Sequence, residues 1–331
     1  MTERREPPAR PTVLVLDDDP LPDLGRLAGR AEVVHTDEKD LAGLLPSADA
    51  LLVWDFLSDA VREAWPGPGP RPSWVHTPSA GVDRLLPELS EGPRAAETVL
   101  TNARGVFDQP IAEYVAGTVL AMAKDFPGTW ELQKQRQWRH RETIRVGGTR
   151  AVVVGSGPIG RAIGRTLLAL GVEVDLVGRR ERGGDPEFGL VHAAGALDAL
   201  LGEADWVVCV APLTESTRGL FDAAAFARMK PTARFINVGR GQHVVEGDLV
   251  EALSQRRIAG AALDVFAEEP LGESHPLWDV PGLLISPHMS GDTIGWRDDL
   301  AEQFLDNFDR WTSGEPLLNV VDKRLGYVPT T

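Results

Sequence analysis

Residues 151–160 read Ala151-Val152-Val153-Val154-Gly155-Ser156-Gly157-Pro158-Ile159-Gly160, a β-branched apolar run that breaks into a Gly-x-Gly-x-x-Gly turn and opens a helix. Each glycine of such a turn has its own task. The first permits the tight bend, the second lets backbone approach a pyrophosphate, and the third lets the helix pack closely on the strand. The free amides and positive end of the helix then face the anion. Glycine-rich turns are common after strands, so the pattern takes its meaning from context. Here a strand-like run precedes it, and the helix that follows carries Ile163, Leu167, Leu168 and Leu170 on its apolar side.

In a dinucleotide fold the second strand usually ends in an acid that accepts from the ribose 2′-hydroxyl. Counted from Gly160, that place falls at Gly178, in Val177-Gly178-Arg179-Arg180, and the acid is absent. A glycine followed by two arginines removes a repulsion and supplies guanidinium groups for a 2′-phosphate, so Arg179 and Arg180 point to NADP(H) in preference to NAD(H). The competing interpretation is a solvated basic loop, continued by Glu181 and Arg182. Asp175 falls three residues too early to serve as the acid.

Around this turn, 331 residues are enough for two domains with their own cores. A formal net charge of −15 argues against nucleic acid or an anionic membrane as the main partner, though local cations can still hold a small anion. The single cysteine, Cys209, sits in the apolar run Trp206 to Val210 and reads as a buried structural thiol in a reducing compartment. Met1 to Pro11 is charged and proline-rich, without the apolar core of a signal peptide, and no run reaches membrane-spanning length. The expectation is a cytoplasmic protein without a membrane or nucleic-acid partner, and no metal site is predicted.

Strand-like runs at 13–16, 32–35, 50–54, 74–76 and 98–100 alternate with helical or loop segments, the signature of a parallel α/β layer. Pro66 to Pro70 reads as a stiff surface loop inside that layer. Asp108 is placed to cap a long helix with Ile111, Val115, Val119, Met122 and Phe126 on one face. The polar, Trp-, Gln- and Arg-rich stretch from Thr129 to Arg145 reads as surface or subunit-contact material. A second α/β run follows, with strands near 151–154, 172–177, 206–210, 233–237, 259–264 and 283–286, then a helix from about Ile294 with Leu300, Phe304, Leu305 and Phe308.

Three of the later strand ends carry chemistry. Phe235 to Gly241 ends in Arg240 between two glycines, where a guanidinium can grip a carboxylate and polarise an adjacent carbonyl. Leu263 to Pro270 ends in the acids Asp264, Glu268 and Glu269, and Leu284 to Gly291 contains His288. A carboxylate beside an imidazole favours its protonated form, so such a pair can donate a proton near neutral pH. Each residue alone would more often be structural. Three at successive strand ends beside a nucleotide turn form a site.

The order and wording of these segments resemble the D-isomer-specific 2-hydroxyacid dehydrogenase family over most of the chain. The resemblance is carried by Val154 to Gly160, Ala211 to Leu220, Met229 to Gly241 and the Glu269 and His288 segments. It implies a catalytic set of Arg240, Glu269 and His288, with Glu269 chosen over Glu268 because it directly precedes the proline. It implies that Gly155, Gly157, Pro158, Ile159, Gly160, Arg179, Arg180, Ala211, Pro212, Thr217, Val238, Gly239 and Asp264 line the cofactor, Asp264 holding the nicotinamide carboxamide. Ser79-Ala80-Gly81 is similar to the loop whose amides bind the substrate carboxylate together with Arg240 and His288, and Trp54 is a candidate wall of that pocket. The Gly178 departure and the Ser79 loop resemble the NADP-preferring glyoxylate and hydroxypyruvate reductase branch. Formate dehydrogenases of the superfamily do not use the glutamate of a His–Glu pair, and Glu269 counts against them.

The resemblance also implies two doubly wound parallel-sheet domains, a Rossmann domain inserted into a flavodoxin-like one. The substrate domain would comprise 1–103 and 293–331, the dinucleotide domain 104–292, with the active site in a cleft and hinges near Asn102 to Gly105 and Ser290 to Gly295. The implied reaction is NADP(H)-dependent reduction of a 2-oxo acid (glyoxylate, hydroxypyruvate or a bulkier analogue) to the D-2-hydroxy acid, in a homodimer. Two rivals belong to other classes. Asp17, Asp18, Asp19 and Asp55 mimic the acidic pocket of a phosphorylation receiver, but no lysine ends the fifth strand. A dinucleotide-sensing protein without turnover would share the fold, against which the complete Arg240, Glu269 and His288 set argues.

Overall fold

Continuous apolar runs of four or five residues can be buried on both faces only in parallel sheets covered by helices, and this chain forms two of them. The computed structural model describes residues 7–67, 69–90 and 97–329. Residues 1–6 of the N-terminal stretch and Pro68 of the proline–glycine loop lie outside the described residues.

The chain divides into two compact units, Met1–Val106 with Thr293–Thr331, and Phe107–Asp292. In the first, β1 (Thr12–Leu16), β2 (Glu32–Thr36), β3 (Ala50–Val53), β4 (Trp74–Thr77) and β5 (Val99–Asn102) form a parallel sheet in the order β2-β1-β3-β4-β5. This is the flavodoxin-like order, with its topological switch between β1 and β3. The helix Trp296–Thr312 buries Leu300, Phe304, Leu305, Phe308 and Trp311, and Phe304 stacks on Trp74 with ring centroids 5.0 Å apart.

The second unit holds β6 (Arg150–Val154), β7 (Glu173–Gly178), β8 (Arg182–Asp185), β9 (Gly189–Ala193), β10 (Trp206–Cys209), β11 (Arg234–Asn237), β12 (Gly260–Leu263) and β13 (Leu283–Ile285). Their order is β13-β12-β11-β10-β6-β7-β9-β8, parallel except for the antiparallel β8–β9 pair. With β8 set aside, this is the Rossmann order extended by one strand. Both sheets agree with the α/β fold class expected from sequence.

Several local expectations need correction. The helix Asp108–Ala123 has Phe107 at its N-cap, so Asp108 is its first residue and not its cap. The helix stops before Phe126 because Asp125 turns into the left-handed region (φ 50°) and caps a second helix, Phe126–Lys134, accepting from the Gly128 N–H at 3.1 Å. In the helix Pro158–Ala169 the buried face is Ala162, Ile163, Gly164 and Leu167, while Leu168 is 43% exposed. The β8–β9 hairpin was missed: the run after Gly178 reads as a basic loop, although Asp185-Pro186 and Gly189 are turn residues that bracket two short strands.

Candidate active site

β6 delivers the chain into the glycine turn, where Gly155 takes φ 131° and a Cβ would lie 2.7 Å from the Val210 carbonyl oxygen. At Gly160 a Cβ would lie 1.7 Å from the Gly155 oxygen, so strand and helix meet with no room for a side chain. At Gly157 the Cβ position is open, with nothing within 4 Å, and no side chain caps the helix that Pro158 and Ile159 begin. A turn closed behind and open in front, at an uncapped helix start, fits a dinucleotide pyrophosphate.

The strand next door explains its missing acid. A Cβ at Gly178 would lie 2.5 Å from Ser156 Oγ and 3.2 Å from Val191, so an aspartate has no place there while Ser156 keeps this rotamer. Arg179 and Arg180 are exposed at the end of β7. The residue that reaches back to the turn is Arg182, whose Nη2 donates to Ser156 Oγ at 2.9 Å. Asp175 accepts from Arg150 Nε at 2.5 Å and is occupied there.

Beyond β10, Ala211 is buried, and Thr217 folds its own loop: Oγ1 donates to the Pro212 oxygen at 2.7 Å and accepts from the Thr214 N–H at 2.8 Å. The loop after β11 is built around buried Asn237. Its Oδ1 accepts from Gly239 N at 3.1 Å and its Nδ2 donates to the Arg240 oxygen at 2.9 Å. Val238 is buried, and Arg240 is half-buried with Nη1 donating to the Gly239 oxygen at 2.9 Å. Buried His243 accepts the Arg240 N–H on Nδ1 at 3.0 Å, which leaves the proton on Nε2, 3.4 Å from the Pro212 oxygen. Gly241 has no substitute, because a Cβ there would lie 1.8 Å from the Phe266 carbonyl carbon. That contact sets the Arg240 loop directly on the backbone that leads to Glu269.

Asp264, at the end of β12, is buried and accepts three hydrogen bonds. They come from Ser286 Oγ at 2.5 Å, the Met289 N–H at 3.0 Å and the Ser290 N–H at 2.9 Å. Ser286 in turn lies 2.5 Å from the Tyr114 hydroxyl, whose pKa is raised first by burial and then by the charge of Asp264. Asp264 thus clamps the loop that carries His288. His288 takes a left-handed backbone (φ 51°), uncommon outside glycine and enriched for histidine, and its N–H donates to the Asp264 oxygen at 2.8 Å.

His288 Nδ1 lies 2.7 Å from Glu269 Oε2, and Glu269 Oε1 accepts from the Phe266 N–H at 2.9 Å. Burial pushes the Glu269 carboxyl upward, but its hydrogen bonds from His288 and Phe266 and the charges of His288 and Arg240 outweigh it. The net shift is downward, and the group stays ionised. With Glu269 on Nδ1, Nε2 is the ring nitrogen left for a further partner in this 38% exposed side chain. The second unit therefore brings Arg240, Glu269, His288 and Asp264 together. Cys209 is fully buried and burial pushes its thiol up to about 12, which removes it as a nucleophile.

In the first unit, Ser79, Ala80 and Gly81 follow β4 and are half-buried. The loop is pinned by Asn102 Nδ2 donating to the Ala80 oxygen at 2.7 Å and by the Ala103 N–H on the Ser79 oxygen at 3.0 Å. Trp54 is 2% exposed with its indole N–H on the Pro20 oxygen at 2.9 Å, and it offers little surface to a ligand. Among the described residues no cluster of three or more His, Cys, Asp or Glu side chains is placed to hold a metal ion. No helix of the described residues is long and apolar enough to cross a membrane.

Residues that sequence reasoning passed over are Ser156, Arg182, His243 and the Tyr114–Ser286 pair. Ser156 and Ser286 lie inside motifs already singled out, and His243 lies two residues beyond one. Tyr114 and Ser286 are 172 positions apart, and nothing local links them.

Residues 116–290 match the family described as D-isomer specific 2-hydroxyacid dehydrogenase, NAD binding domain. A glyoxylate/hydroxypyruvate reductase A of Photorhabdus laumondii is 33% identical over 251 residues, 75% of this chain and 79% of that protein. A glyoxylate reductase of Thermofilum pendens is 31% identical over 96% of each chain. Among solved structures, an NADPH-dependent glyoxylate/hydroxypyruvate reductase of Sinorhizobium meliloti, in complex with NADP and sulfate, is similar with a TM-score of 0.82. It is 29% identical, over 96% of this chain and all of that one.

Proposed function

The chain belongs to the D-isomer specific 2-hydroxyacid dehydrogenase family, and on that premise we propose that it is an NADP(H)-preferring reductase of small 2-oxo acids, glyoxylate and hydroxypyruvate foremost. Members of the family are NAD(P)-dependent oxidoreductases, and so is this chain. The observation that carries the finer reading is the His288–Glu269 pair, 2.7 Å apart beside the Arg240 loop.

Gly155 to Gly160, the loop from Ala211 to Thr217, and Val238 and Gly239 would hold the cofactor, which when bound would supply a hydride to the carbonyl carbon. The chain supplies the rest. Arg240 holds the substrate carboxylate and polarises the adjacent carbonyl, and His288 gives its Nε2 proton to the carbonyl oxygen. Glu269 orients the imidazole through its hydrogen bond and sets a carboxylate beside it, and Asp264 keeps the His288 backbone in place. Within the first unit, the Ala80 and Gly81 N–H groups have no hydrogen-bond partner among the described residues and suit a carboxylate. Preorganised positioning and electrostatics account for the rate.

Steady-state turnover with a panel of 2-oxo acids, against NADPH and NADH in parallel, tests this reading. The expected result is reduction of a small 2-oxo acid with a higher kcat/KM for NADPH. Tight cofactor binding without reduction of any panel member would replace the enzyme with a dinucleotide sensor.

The proposed assembly is a homodimer built on the segment after the helix Asp108–Ala123, where Phe126, Trp130, Trp138 and Ile144 are exposed, Trp138 fully so. Light scattering should return about twice the 35.8 kDa chain mass. A monomer at micromolar concentration rejects it.

A further inference from the structure

Arg161 stands in the first turn of the helix that the glycine turn opens, where a cation is expected to face the pyrophosphate. Its guanidinium is used elsewhere. It grips the Asp185 carboxylate at both oxygens, with Nη1 3.2 Å from Oδ1. The Asp185 side chain is 6% exposed and also accepts the N–H groups of Glu187 and Phe188, each at 3.1 Å. The same guanidinium lies 5.4 Å from the centre of the Phe188 ring, and that ring presses on Gly164 so closely that a Cβ there would lie 2.7 Å from it. Charge and packing thus fasten the β8–β9 turn to the helix of the nucleotide turn. Arg182, three residues before Asp185, opens β8 and is held at the turn by Ser156.

We propose that the β8–β9 hairpin is the element that reads the 2′-phosphate, with Arg182 as the contacting residue and Arg161, Asp185 and Phe188 as positioning residues. The inference rests on the NADP(H) preference proposed above. An arginine on a free loop loses loop and side-chain entropy when it engages a ligand. Here that ordering is built into the fold, and Ser156 takes one of the guanidinium's five donors, leaving others for phosphate oxygens. A 2′-hydroxyl carries no charge for Arg182 to meet, so NADH binding is indifferent to the anchor. Gly178 completes the device, since the acid that would select NADH has no place there while Ser156 Oγ holds Arg182.

Equilibrium dissociation constants for NADPH and NADH, measured by calorimetry on the full chain, test the proposal without recourse to turnover. Arg182→Gln should weaken NADPH at least tenfold and leave NADH within twofold. Asp185→Asn should weaken NADPH several-fold with the same indifference of NADH, and should add less than twofold in the Arg182→Gln background, because it acts through Arg182. Gly164→Ala, which displaces Phe188 without changing charge, should act in the same direction and serves if Asp185→Asn does not fold. If wild type binds both cofactors equally, the NADP(H) reading itself fails. The hairpin proposal alone is overturned if wild type prefers NADPH and any of three results appears. The anchor variants leave NADPH within twofold, they weaken NADH as much as NADPH, or Arg179→Gln/Arg180→Gln abolishes the preference while Arg182→Gln does not.

Discussion

His288 follows β13 of the second unit with a carboxylate at 2.7 Å on one ring nitrogen and a side chain 38% exposed. His76, inside β4 of the first unit, is fully buried among Trp74 and Phe304. Its Nδ1 lies 2.8 Å from the Thr101 hydroxyl, which also accepts the Trp74 indole N–H, and its Nε2 has no partner among the described residues. Both are imidazoles in parallel α/β sheets. One is given a charge to work against and a way out for its proton. The other is given neither, and burial drives its pKa down to about 3. A histidine's chemistry is therefore decided by its partner and its access, and neither is a property of the residue.

The contrast breaks first at His288. If it is the proton donor, His288→Ala should lower kcat/KM for the 2-oxo acid by about 10²–10⁴ while the NADPH dissociation constant stays within about twofold. Reduction at near wild-type rate would remove His288 as the proton donor. Glu269→Gln should cost less, about a hundredfold, because the amide can still meet the ring but sets no negative charge beside it. A second readout separates this role from a structural one. The folded pKa of Glu269 lies below its unfolded value near 4.5, so its contribution to stability is complete above that pH and is lost as pH falls through the lower folded value. The Tm gap between wild type and Glu269→Gln should hold from pH 7 down to about 4.5 and narrow below it.

The two histidines also mark how far the sequence could be read. The motifs around Gly155, Arg240, Glu269 and His288 were legible because turn geometry and strand-end placement leave local signatures, glycines above all. The long helix predicted through Phe126 failed because periodicity registers an apolar face and is blind to a single left-handed residue such as Asp125. The hairpin carrying Arg182 failed for a related reason: exposed strands of four or five residues have no apolar alternation to show. The protein partners of Asp264 were not legible either, because its three donors come from residues 22 to 26 positions away. Likewise nothing in Trp74-Val75-His76 says that Phe304, more than two hundred residues on, closes over the imidazole.

The smallest effect lies at His76, and it is read in stability. A folded pKa near 3 against an unfolded value of 6.5 means that the unfolded chain binds a proton the folded chain refuses. Stability must then fall as pH drops from 6.5 toward 3. At pH 5 the loss from this one group is about 2 kcal/mol, at about 1.4 kcal/mol per pH unit. His76→Leu removes the titration. The Tm drop between pH 7.5 and pH 5 should be visibly smaller in the variant. At pH 7.5 the two proteins should differ by only about 1 kcal/mol in either direction, because leucine gives up the Thr101 hydrogen bond but also removes an unpartnered buried nitrogen. An unchanged pH slope would mean that His76 takes up its proton in the folded state, and the contrast with His288 would then rest on access alone.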